Sequence, residues 1–135
     1  SRPGLPAGAP GAAPRVRLTA VFSQAGVLYL AAAADTGVGA GAVTDLMGGT
    51  PAEEPARYRL ADPLARLPLG VPLLAVHSRA DTVVPFAQSA HFVTAAVAAG
   101  DDAALLEVHG DHMSLIDPGS KAWSVVLDAL PKLLA

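Results

Sequence analysis

From Val71 to His77 the chain is apolar at almost every position. A strand of that kind has no polar face to offer water, so it belongs inside a sheet covered on both sides. Ala103–Val108 reads as a second strand, and Val16–Ser23, built on Leu18, Ala20, Val21 and Phe22, as an earlier one. Two helical patterns alternate with them. Phe86–Ala99 is closed by Gly100, and Gly119–Leu134 carries Trp123, Val126, Leu127 and Leu130 on one face, with Pro131 bending its end. Between the first two strands lies a mixed insert. Val27–Leu30 leads into small residues, and a short helix is expected over Ala40–Met47. Thr50 before Pro51, with Glu53 three residues on, marks a helix start, and Asp62-Pro63 a turn. The order β, helical insert, β, α, β, α predicts an α/β domain with a mostly parallel sheet in a three-layer αβα arrangement. Three strands make a small sheet whose edge needs cover from another segment or chain.

Residues 1–15 are rich in proline and glycine without amphipathic pattern and read as a loop or linker. A length of 135 residues suits one domain. Side chains are 52% hydrophobic but only 4% aromatic, so alanine, leucine and valine must fill the core. A formal charge of −3 excludes a basic nucleic-acid surface. No apolar run approaches a membrane span, and the absence of cysteine excludes disulfides, thiolate metal sites and a thiol nucleophile. No signal-peptide core is visible, and a cytoplasmic location is the expectation.

In an open parallel sheet, functional groups gather beyond the carboxyl ends of the strands. Asp81 follows His77 by four residues, and His112 follows Val108 by the same step, through Gly110. Neighbouring strands lie roughly 5 Å apart, so the two loop tips can bring a carboxylate against an imidazole. Such a carboxylate fixes one ring tautomer and stabilises the cation formed when the ring takes a proton. The plain alternatives are a turn-capping Asp and a loop His bonded to a carbonyl. His77 reads as a structural residue, His109 as a lining residue of the same loop, and His91 as solvent-facing. No H-x-x-x-H or H-E-x-x-H spacing occurs, so neither metal nor cofactor is expected. The nucleophile is missing. Around Ser23 the elbow positions that need glycine hold Val21 and Ala25, Ser89 falls in a helix near the Asp81 loop, and Gly37–Gly41 lacks nucleotide-loop spacing.

These residues resemble the C-terminal half of an α/β-hydrolase catalytic domain of the prolyl-oligopeptidase, acylaminoacyl-peptidase and esterase branch. There a strand running into H-G-x-x-D-x-x-V-P carries the acid, and here His77 to Pro85 matches it with Asp81 as acid and Ser78 in place of glycine. The family's last strand runs into G-x-x-H or a near variant, matched by Gly110-Asp111-His112 and followed by Asp117-Pro118, with His112 as base. Ser23–Leu30, with Tyr29 at the family's common Asp, and Gly48–Pro51 resemble flanking segments. The resemblance covers nearly everything after residue 15, so that 16–135 is expected to be the C-terminal portion of such a domain. It implies a serine hydrolase acting on ester or amide bonds of a small-molecule or peptide substrate, without cofactor. In the family's order the serine precedes the acid. The nucleophile and oxyanion loop are therefore expected before residue 1 or on another chain, as a missing N-terminal half or a partner copy, and this portion is expected to be inert by itself. A catalytically inactive interaction module and a small-ligand carrier stay open as alternatives.

Overall fold

A computed structural model describes residues 5–9, 12 and 15–134; part of the linker expected over 1–15 lies outside the described residues. Three parallel strands form the sheet in the order β1 (Val21–Gln24), β2 (Leu73–Ser78), β3 (Ala103–Val108). Val21 is in register with Leu73, and Leu73 with Ala103. The central strand is covered on both faces. Leu73 and Ala75 pack with Phe92 and Val93 of α4 (Ala87–Ala98), while Val76 packs with Val108, Leu115, Ala122 and Val126 on the other side. Ala122 and Val126 come from α5 (Lys121–Leu134). The result is a three-layer αβα arrangement whose sheet is entirely parallel among the described residues.

The insert folds as α1 (Leu30–Asp35), α2 (Ala42–Met47) and α3 (Pro55–Ala61). Its own small core includes Leu30, Ala33, Val43, Met47 and Tyr58, and Val84 from beyond β2 joins it. That contact ties the loop after the central strand to the insert. The buried Asp62 carboxylate holds the start of α1, accepting the backbone N–H groups of Leu30 and Ala31 at 3.1 Å each. This supplies what Tyr29 does not, since the N-cap side chain makes no capping hydrogen bond and the first helical N–H groups need partners.

Several boundaries differ from expectation for identifiable reasons. The first strand spans Val21–Gln24 rather than Val16–Ser23, because its ladder begins with the Val21 N–H bonded to the carbonyl of Pro72. Proline has no N–H to continue it toward Ala20. Ala40 is not helical; Gly39 and Ala40 have φ of 68° and 54°, and α2 starts at Ala42. Thr50 and Glu53 do form a capping box, with Thr50 N–H donating to Glu53 Oε2 at 2.8 Å. The helix nevertheless begins at Pro55. A residue before proline is pushed out of the helical region, and Glu54 sits at φ −122°, ψ 49°. In α5 the buried stripe is Ala122, Val126 and Ala129, and Leu127 is exposed. The i, i+4, i+7 phase through Ala122 leaves Leu127 on the outer side.

Candidate active site

The strands β2 and β3 end side by side, with Ser78 opposite Val108. Asp81 lies three residues past the first end and His112 four past the second. The loops bring the two together: His112 Nδ1 is 2.7 Å from Asp81 Oδ2. The carboxylate is fully buried, while the imidazole is 27% exposed. Asp81 Oδ1 accepts the backbone N–H groups of Val83 and Val84, each at 2.8 Å. Burial works against the charged form of Asp81. The hydrogen bond from His112, those from the Val84 and Val83 amides, and the charge on His112 outweigh it, so its pKa falls below the ordinary 3.8. Asp81 is thus an ionised acceptor facing a ring N–H. His112 Nε2, the other ring nitrogen, has no hydrogen-bond partner among the described residues.

Neighbouring contacts hold the loops in place. Ser78 Oγ donates to the Gly110 carbonyl at 2.5 Å and accepts the Ala80 N–H at 3.1 Å, so the residue standing where the family motif has glycine clamps the acid loop to the base loop. Gly110 has φ 125°, and a Cβ there would lie 2.6 Å from Ser114 Cβ. That turn requires glycine. From the end of β1, Gln24 Nε2 donates to the Leu115 carbonyl at 2.6 Å, anchoring the 3-10 turn Met113–Leu115 directly after His112. Sequence marks Ser78 only as a departure from the family's glycine and gives Gln24 no role at the site. Only a polar residue at an apolar strand's end hinted at either.

The remaining candidates separate clearly. His77 is buried and touches the same carboxylate, Nε2 lying 3.2 Å from Asp81 Oδ2. Ser89, in α4, is fully buried and 2.7 Å from His77 Nδ1. His91 is exposed and stacks on Tyr29 at 5.3 Å, and His109 is exposed. Ser23 lies at the end of β1, buried, and makes no hydrogen bond to His112. Among the described residues no group of three or more His, Asp or Glu side chains could hold a metal ion, and no helix is long and apolar enough to cross a membrane. A cavity of about 570 Å³ lies elsewhere, at the opposite end of the strands, lined by Pro72, Asp102, Ala129 and Lys132 among others. Its lining includes Asp102, Asp128 and Lys132 but no histidine, so hydrogen-bond geometry rather than volume locates the site.

Comparison with known proteins adds an independent line. The sequence profile of the prolyl oligopeptidase family matches residues 17–122. The acylaminoacyl peptidase of Pyrococcus horikoshii superposes with a TM-score of 0.67 at 24% identity, over 84% of this chain and 20% of that one. An acylaminoacyl peptidase in complex with Z-Gly-Gly-Phe-chloromethyl ketone gives 0.65 at 24% identity, over 84% and 19%. A thermophilic esterase from Thermogutta terrifontis gives 0.63 at 21% identity, over 86% and 41%. These likenesses are of fold, and the chain spans about a fifth of the length of the two peptidases. No curated protein matches significantly.

Proposed function

Since the chain belongs to the prolyl oligopeptidase family, we propose that it supplies the acid and base of a serine hydrolase cleaving ester or amide bonds by acyl transfer. The observation that carries this reading is the 2.7 Å contact between His112 Nδ1 and a buried, ionised Asp81. The Nδ1–H bond to the carboxylate leaves the Nε2 lone pair available. That lone pair takes the proton of a serine hydroxyl as its oxygen bonds to the substrate carbonyl carbon. The imidazolium then passes the proton to the leaving alcohol or amine as the carbon–oxygen or carbon–nitrogen bond breaks. Water repeats the cycle to release the acid.

The serine and the donors for the oxyanion come from outside residues 1–135 or from a partner chain. The sheet is suited to this. The outer edge of β1 is unpaired among the described residues, and a parallel strand added there would end on the same side as Asp81 and His112. The substrate class is a small ester or a peptide, consistent with both kinds of structural relative.

The test uses the natural polypeptide that carries this sequence. A fluorophosphonate should label it, and it should hydrolyse a p-nitrophenyl ester or an N-acylated peptide ester. His112→Ala should abolish both, with a loss of at least about a thousandfold in turnover, the order of a general-base contribution. Turnover kept by His112→Ala would remove this residue from the mechanism. No labelling and no turnover in the unaltered protein would favour a non-catalytic module.

A further inference from the structure

Two imidazoles, not one, converge on Asp81. His77 is the penultimate residue of β2 and is wholly buried. Its Nε2 lies 3.0 Å from the Val84 carbonyl oxygen and 3.2 Å from Asp81 Oδ2, and its Nδ1 lies 2.7 Å from Ser89 Oγ. Both neighbours of Nε2 can only accept, so that nitrogen carries a hydrogen; it bonds to the Val84 carbonyl, and Asp81 Oδ2 lies against the same ring edge as a close polar contact. Ser89 is equally buried and bonds to no other group among the described residues, so its hydroxyl donates to the Nδ1 lone pair. This is the arrangement in which every buried polar atom of the group is satisfied. A hydrogen on Nδ1 would leave the Ser89 hydroxyl without an acceptor.

The carboxylate is engaged from both sides. An ionised carboxyl offers about four lone-pair sites. Val83 and Val84 amides fill the two on Oδ1 and His112 fills one on Oδ2, against which His77 Nε2 also lies at 3.2 Å. We propose that His77, set in its Nε2–H tautomer by Ser89, is a positioning residue for Asp81. It backs Oδ2 from the buried side and bonds the carbonyl of Val84, whose own amide donates to Oδ1, while His112 bonds Oδ2 from the exposed side. The kinetic part of this inference rests on the hydrolase reading above; the hydrogen-bond part does not. His77 and Ser89 touch neither substrate nor reacting atoms, and they act through Asp81 on the orientation of the His112 ring.

The experiment separates the two parts. In 15N-histidine-labelled protein, long-range 1H–15N spectra should show His77 as the Nε2–H tautomer with a slowly exchanging proton. Ser89→Ala should destroy that tautomer preference. His77→Leu should shift or broaden the His112 Nδ1 proton, and His77→Gln, whose amide can donate at the same place, should restore it. A His77 ring protonated at Nδ1, or a His112 Nδ1 signal indifferent to His77→Leu, overturns the inference whether or not the protein hydrolyses anything. Kinetically, His77→Leu should lower kcat at least tenfold with KM within twofold, and His77→Gln should recover most of the loss. Equal losses in both variants, tracking their thermal stability, would mean a merely structural histidine and overturn the positioning role. If the unaltered protein shows no turnover, the hydrolase reading falls separately and the spectra decide.

Discussion

Asp81→Asn is the most informative single change, because the surroundings dictate how the new amide must sit. The Oδ1 position faces two backbone N–H groups at 2.8 Å, so the Asn oxygen is forced there. The amide nitrogen then replaces Oδ2, opposite two ring nitrogens that both donate in the native site. His112 can respond by moving its hydrogen to Nε2, which deprives that nitrogen of the lone pair the mechanism needs. His77 cannot follow, since the Val84 carbonyl requires its Nε2–H. The Asn NH2 therefore faces the buried His77 N–H where a carboxylate charge stood, an ill-matched polar contact costing about 1–3 kcal/mol of folding stability. A mis-set tautomer in an acid–base–serine arrangement costs about 10⁴ in kcat, or ~5.4 kcal/mol at about 1.36 kcal/mol per tenfold. Turnover of a p-nitrophenyl ester, measured beside a thermal melt, reads both quantities. A variant with kcat within tenfold of the native value, while still folded, would rule out this role for Asp81.

Three further outcomes follow from the same contacts. Gly110→Ala should destabilise the protein by about 1–3 kcal/mol through its positive φ and its clash with Ser114, and should lower turnover by shifting His112; chemical denaturation and ester kinetics check both. Ser78→Ala should cost about 1–2 kcal/mol by removing the bond that joins the two loops, seen as a lower denaturant midpoint without a changed slope. Because the folded pKa of Asp81 lies below its ordinary 3.8, the stability it contributes is present above the unfolded value and is lost as pH falls through the folded one. The stability gap between native protein and Asp81→Asn should therefore persist at neutral and mildly acidic pH and close only below pH 3.8. A gap closing well above that pH would contradict the assignment.

Much of this was legible in the residues. The apolar run of β2 announced a doubly covered strand, and β3 appears over the very span its pattern marked. The positions of Asp81 and His112 just past neighbouring strand ends followed from topology, and their side chains do meet. What stayed hidden depends on contacts across long separations. Asp62 reads as a turn former, yet it caps a helix that starts 32 residues earlier. His77 ends an apolar run, and nothing local reveals that Ser89, twelve residues on, sets its tautomer. The error at Leu127 is of another kind. Trp123, Val126 and Leu130 do pack on the sheet-side core, but the small residues Ala122 and Ala129 share the buried side and Leu127 does not, which size and hydrophobicity alone did not reveal.

The central claim is that a buried carboxylate at 81 fixes the ring at 112 with its hydrogen on Nδ1 and leaves Nε2 bare. Nitrogen-15 shifts of the His112 ring test it directly, measured with the ring in its neutral form. The expected result is a protonated Nδ1 and an unprotonated Nε2, reversed in Asp81→Asn. A hydrogen on Nε2 in the native protein, or a ring unaffected by that substitution, would contradict it.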